Sequence, residues 1–278
     1  MKVVIVQLNS SEDIDQNIHR IKTVINQFLD QHQDQTQITQ PVLFVLPENS
    51  LYMRASDKAV VKALSVDSIE MQKMQAYCDE KKIYIHLTTA LKDQNKIWNA
   101  SVLLKPNQSP QITYKKVHLF DIQLSGEKPV CESDVFTHGE TVTYFDLDGV
   151  RFGSSICYDI RFAELFSQHA KNKVDVILVP AAFLVKTGQA HWEILLRARA
   201  IESQAYVLAA GQVGEHHNLD RTQHRKTYGH SMAIDPWGSV LELNKDQVGC
   251  FQVEIDLEKI KSVRQQIPMS NHRRLNTK

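Results

Sequence analysis

An α/β fold is predicted by three features of the 278-residue sequence. β-rich runs alternate with helix-period segments, the apolar share of 42% is that of a packed globule, and no Pro/Gly/Ser-rich linker interrupts the alternation. The run Val3-Val4-Ile5-Val6 opens a strand over residues 3–8. Ile14, Ile18, Ile21, Ile25 and Phe28 then recur at the three- and four-residue steps of an amphipathic helix. Residues 31–40 carry five glutamines and little apolar surface, which reads as a solvated loop before a strand at 42–46. A helix over 66–80 and a strand over 83–91 repeat the unit, and shorter strands follow at 100–104 and 112–116. The second half predicts a strand at 150–156, a helix at 161–171, a buried strand at 174–180, a helix at 189–203 and a strand at 205–212. Asp235-Pro236-Trp237-Gly238 is a turn between strands at 230–234 and 239–243, and residues 251–256 close the sheet. No Pro/Gly/Ser-rich linker divides the chain, so one domain over 1–278 is expected, with a C-terminal extension from about residue 257.

Composition excludes several classes of function. Thirty-two Lys and Arg balance 32 Asp and Glu, so the chain lacks the positive field that phosphate-backbone binding needs, and no nucleic-acid partner is expected. The longest apolar stretch, from Val176 to Val185, contains Pro180 and falls well short of the roughly 20 residues of a membrane span. No export signal precedes the first strand. Cys78, Cys131, Cys157 and Cys250 lie far apart with no C-x-x-C pair, which suggests neither a disulfide framework nor a metal site, but reduced thiols in the cytoplasm.

Three polar residues fall at predicted strand ends, where ligands bind in open α/β sheets: Glu48, Lys116 and Cys157. Glu48 follows Val-Leu-Phe-Val-Leu-Pro, so its carboxylate either caps the next turn or is held partly desolvated. Lys115 and Lys116 alternate along a strand, so one of them points inward. Cys157 sits between a strand and a helix in a turn resembling a nucleophile elbow. There the helix N-terminus is expected to lower the thiol pKa, and the Tyr158 N–H to hold an oxyanion.

Singly, each residue has a bland reading as cap, snorkelling lysine or small buried thiol. Together, Pro47-Glu48, Tyr114-Lys115-Lys116-Val117-His118-Leu119-Phe120 and Cys157-Tyr158-Asp159-Ile160-Arg161-Phe162 resemble the three motifs of the nitrilase superfamily of carbon–nitrogen hydrolases. The resemblance spans nearly the whole chain. It implies a four-layer αββα sandwich, a Glu48–Lys116–Cys157 triad, a supporting Glu132, no metal or other cofactor, and a homodimer or higher homo-oligomer. It also implies a thioester mechanism on a small-molecule amide. The stretches from Thr187 to Glu193, Leu196 to Glu202 and Tyr228 to Met232 are most similar to the deaminated glutathione amidases, with the omega-amidases next. Departure is greatest at residues 218–227. A dicarboxylate substrate would need cationic or hydrogen-bonding partners, for which Arg161, His216, His217, Arg225 and Tyr228 are candidates, with Phe183 and Tyr52 lining an acyl pocket and Tyr158 meeting the substrate at the oxyanion. Arg161 could instead pair with Asp159 or Glu164. A catalytically silent scaffold is the rival of another class, and the intact triad argues against it.

Overall fold

The computed structural model describes residues 1–32, 41–56, 59–123 and 129–275. Most of the glutamine-rich loop expected at 31–40 lies outside them. The first half runs β1 (Lys2–Gln7), α1 (Ile14–Gln31), β2 (Leu43–Val45), α2 (Ile69–Lys81), β3 (Tyr84–Asp93), β4 (Lys96–Leu104) and β5 (Gln111–Lys115), then a small ribbon of β6 (Asp121–Ile122) and β7 (Val130–Cys131). The second runs β8 (Tyr144–Leu147), β9 (Val150–Ser154), α3 (Ala163–Lys171), β10 (Val176–Leu178), α4 (Val185–Ser203) and β11 (Tyr206–Ala209). A hairpin of β12 (Val213–His217) and β13 (His224–Tyr228) precedes β14 (Ser231–Ile234), β15 (Val240–Asn244), β16 (Gly249–Glu254), α5 (Leu257–Gln266) and α6 (Met269–His272).

Two six-stranded sheets result, ordered β16-β1-β2-β3-β4-β5 and β15-β14-β11-β10-β9-β8. Strand alternation sorts side chains between layers. Val4, Val6, Phe44, Leu46, Ile85 and Leu87 face outward under Ile18, Ile21, Ile25, Met71 and Met74 of α1 and α2. Their neighbours Val3, Ile5, Leu43 and Val45 face inward onto Phe152, Val176, Leu178, Tyr206 and Leu208 of the second sheet. On its far side Ile177, Val179, Val207 and Ala209 meet Leu165, Phe166, Trp192, Leu196 and Ala200 of α3 and α4. The layers are therefore helix, sheet, sheet, helix, an αββα sandwich.

Several elements differ from the sequence reading, β8 and the β6–β7 ribbon among them. The last strand joins the first sheet, antiparallel to β1 with Lys2 opposite Glu254, a long-range pairing that local pattern does not encode. Residues 218–227, where the family pattern departs, form the tip and second strand of the β12–β13 hairpin, with His216 opposite Arg225. The segment from 257 is helical and docks where the central strands β10 and β11 of the second sheet begin: Ile260 and Val263 are buried, and Arg264 donates to the Val174 and Gln204 carbonyls.

Candidate active site

Strand ends carry the three motif residues to one place. Glu48 lies three residues beyond β2, where Leu46 N–H donates to His86 O and Ser50 N–H to Thr88 O, and Asn49 turns the chain with φ +57°. Lys116 follows β5 directly, its N–H donating to the Asn99 carbonyl of β4 at 2.9 Å. Cys157 begins a 3-10 turn, Cys157–Arg161, with its N–H on the Pro180 carbonyl at 2.9 Å. Its φ is +48°, in the left-handed region that costs a non-glycine residue roughly 1 kcal/mol or more. That is the sharp strand-to-helix turn expected of an elbow.

The polar ends form a closed ring. Lys116 Nζ donates to Glu48 Oε1 at 3.0 Å and to Glu132 Oε2 at 2.8 Å. Asn99 Nδ2 donates to Glu48 Oε1 at 2.8 Å and to Glu132 Oε1 at 2.9 Å. Ala182 N–H donates to Glu48 Oε2 at 2.9 Å, and Phe120 N–H to Glu132 Oε2 at 2.7 Å. All four side chains are buried. Burial opposes the Lys116 charge, but Glu132, Glu48 and Cys157 outweigh it and hold the ammonium well above the ordinary lysine range. Burial likewise opposes the Glu132 charge, yet Lys116, Asn99 and the Phe120 N–H hold its carboxyl below the usual value.

Cys157 corrects one expectation. Burial first, and then the Glu48 carboxylate, push its thiol well above the ordinary cysteine value, against the opposing pull of Lys116 and the Ala182 N–H. A five-residue turn offers a short dipole, which does not offset desolvation. The resting sulfur is therefore a thiol, and a nucleophilic role requires a base. Glu48 is the carboxylate that contacts it.

A cavity opens over this ring. Tyr52, Tyr158, Phe183 and Arg225 line it, together with Arg54, which the sequence reading did not single out. Arg161, His216, His217 and Tyr228 do not line it. His216 is fully buried beneath the hairpin, its ring nitrogens on Ser10 O and Thr227 Oγ1 at 2.7 Å each, and burial lowers its pKa to about 4. His217 lies on the other face of the strand, 3.7 Å from Glu215. Tyr228 stacks on His230 at 3.8 Å and fills the space that Gly188 leaves, where a β-carbon would come within 2.4 Å of its ring. Arg161 pairs with neither expected carboxylate: its guanidinium lies 5.2 Å over Phe183 and contacts His191 Nδ1 at 3.2 Å.

Asp159 is occupied elsewhere. It accepts from Tyr114 Oη at 2.8 Å and from the Ile156 and His118 N–H groups at 2.9 Å each, and contacts His118 Nδ1 at 2.7 Å, stapling the cysteine turn to the lysine segment. Asn99 was the larger omission. An asparagine within Ile-Trp-Asn-Ala-Ser-Val is a polar residue in an apolar strand and must find partners, which was its only sequence signal. Among the described residues no group of three or more His, Cys, Asp or Glu could hold a metal ion.

Comparison with known proteins bears on family and fold. The model of the carbon-nitrogen hydrolase family matches residues 2–265. A deaminated glutathione amidase of Dictyostelium discoideum is 33% identical, covering 97% of this chain and 92% of that protein. An omega-amidase of Danio rerio is 32% identical over 98% and 94%. The crystal structure of the NitFhit protein of C. elegans superposes with a TM-score of 0.82 at 31% identity, covering 98% of this chain and 65% of that one.

Proposed function

The chain belongs to the carbon–nitrogen hydrolase family, within the nitrilase superfamily and as a hydrolase of non-peptide C–N bonds, and from that premise we propose that it splits deaminated glutathione into 2-oxoglutarate and Cys-Gly, a metabolite-repair reaction. The observation that carries the reading is the buried ring of Glu48, Lys116 and Glu132 against the Cys157 thiol. Glu48 takes the thiol proton, and the Cys157 sulfur attacks the amide carbon. Lys116 and the Tyr158 N–H hold the resulting oxyanion, a fixed cation in a dry site needing little reorganisation. The C–N bond breaks as Glu48 returns the proton to the departing nitrogen, leaving a thioester. Glu48 then deprotonates a water that attacks the thioester carbon, and the expelled sulfur recovers its proton from Glu48. The sum is amide plus water to acid plus amine, and it uses no cofactor. Glu132 keeps Lys116 charged and oriented.

Substrate choice rests on the relatives' names and on two arginines, Arg54 and Arg225, in the cavity wall, cations suited to the carboxylates of a dianionic amide. A second reading, an omega-amidase on 2-oxoglutaramate or 2-oxosuccinamate, is favoured by the full-length similarity to the Danio rerio protein. No described helix is long and apolar enough to cross a membrane. Four cysteines spread along the chain with no C-x-x-C pair favour a cytoplasmic protein. Ile194, Ile201 and Trp237 leave apolar surface exposed on and beside α4, where Gly238 abuts Ile201, and this supports a homodimer through that face. The whole chain, 1–278, acts as one catalytic domain.

The test is side-by-side hydrolysis of deaminated glutathione and 2-oxoglutaramate by purified protein, with Cys157→Ala as blank. Preference for the first, abolished in the blank, supports the proposal. Preference for 2-oxoglutaramate moves the assignment to omega-amidase, and activity surviving in the blank overturns the mechanism.

A further inference from the structure

Asn99 does more in the ring than fill space. It is 1% exposed, its carbonyl accepts the Lys116 N–H, and its single amide nitrogen spends both hydrogens on carboxylates, Glu48 Oε1 at 2.8 Å and Glu132 Oε1 at 2.9 Å. Its Oδ1 is buried without a hydrogen-bond partner among the described residues. A buried unsatisfied acceptor costs about 1–3 kcal/mol. A flipped amide would cost more, since Oδ1 would then face two carboxylate oxygens. The orientation is therefore dictated by the carboxylates, and Glu132 Oε1 has Asn99 as its one donor among the described residues.

Acceptor capacity then distinguishes the two oxygens of Glu48. Each carboxylate oxygen offers about two lone pairs. Oε1 accepts from Asn99 and from Lys116, so both are engaged; Oε2 accepts from the Ala182 N–H alone and keeps one. A proton arriving on Oε1 would strand an amide hydrogen that has nowhere else to turn.

Resting on the reading of Glu48 as base, we propose that Asn99 is a positioning residue that reserves Glu48 Oε2 as the oxygen that carries the catalytic proton, while locking Glu132 against Lys116. The charged groups around it are Glu48 and Glu132, which it bonds, and Lys116, which bonds both, and nothing in its role requires substrate contact. Its donation also helps hold the Glu132 carboxyl low.

Asn99→Leu, close in volume and without donors, and Asn99→Ser, smaller and polar, are compared with wild type in two assays. One is kcat and KM for the better amide across pH. The other is the pH dependence of Cys157 alkylation by iodoacetamide, which needs no knowledge of the substrate. Expected for both variants are a fall in kcat of about 10²-fold, a KM within about threefold, and acid limbs of both profiles displaced to higher pH, because carboxylates that lose a donor ionise less readily. Wild-type kcat and unmoved limbs, or a change in KM alone, would overturn the proposal. So would loss of the folded thermal transition in both variants, which would assign Asn99 to packing. Glu48→Gln run alongside separates the two failures: if it leaves alkylation unchanged, the general-base reading has failed, and not the role of Asn99 alone.

Discussion

Replacing Lys116 by methionine keeps the side chain's length and deletes one buried positive charge. Nζ lies 3.0 Å from Glu48 and 2.8 Å from Glu132, and the lysine side chain is 2% exposed, so the loss is not screened by water. Deleting one partner of a buried ion pair costs about 3–5 kcal/mol, because the survivor is stranded. Here two carboxylates lose the same cation, so the upper part of that range applies. For a chain of this size each kcal/mol moves Tm by about 2–4 °C, and the expected fall near neutral pH is roughly 10 °C or more. The pH dependence has a definite sign. In the native protein Glu132 is held below its ordinary value, so its contribution is present above the unfolded carboxyl pKa of 4.5 and is lost as pH falls through the folded value. In the variant a stranded carboxylate has its folded pKa raised above the unfolded one. Its penalty is then full at neutral pH and relieved as pH falls toward the unfolded value. Thermal melts of both proteins at about pH 7 and about pH 5 should show a gap that narrows with acid, alongside a loss of hydrolysis of about 10³-fold or more. An unchanged Tm, or a gap that widens in acid, would refute the reasoning.

Arg225→Gln and Arg54→Gln should each raise KM for the anionic amides by about 10-fold or more, at about 1.5 kcal/mol per lost charge-assisted bond, with kcat less affected. An uncharged amide of the same size should be insensitive, and equal loss on both would deny the arginines a carboxylate. Burial lowers the pKa of His86 to about 3 and of His169 and His216 to about 4. Each contributes stability that is present above the unfolded histidine value of about 6.5 and is lost, at about 1.4 kcal/mol per pH unit, as pH falls toward the folded value. Urea unfolding near pH 7 and pH 5 should show that His86→Leu shrinks this acid loss by about 2 kcal/mol, and an unaltered loss would contradict it. Asp159→Asn replaces an acceptor of four contacts by a group that must turn two hydrogens toward donors. Stability should fall by about 3 kcal/mol and Cys157 alkylation should slow, while a wild-type alkylation rate would show that the staple does not position the thiol.

Much of the layer structure was legible because side-chain period reports burial. Ile14, Ile18, Ile21 and Ile25 repeat as a helix does, and α1 occupies Ile14–Gln31. The β12–β13 hairpin was not legible: Val-Gly-Glu-His-His has little apolar alternation, and the hairpin is held by a buried His216–Thr227 contact between its strands and by His216 on the Ser10 carbonyl, far away in sequence. For the same reason two adjacent histidines that looked suited to an anion turned out otherwise. One is sealed under the hairpin and the other lies on its outer face, because alternation along a strand sends neighbours to opposite sides.

By itself the sequence determined the alternation of strands and helices, and the positions of Glu48, Lys116 and Cys157 at strand ends, since local period and the short strings around those residues carry that information. Only the tertiary structure decided which groups share hydrogen bonds. Asn99 enters the ring through the β4–β5 pairing, Ala182 through the segment that follows β10, and Arg54 and Arg225 reach one cavity from opposite halves of the chain. The tertiary structure also reversed the expected pKa shift of the thiol, because desolvation depends on everything packed around a group and not on its neighbours along the chain.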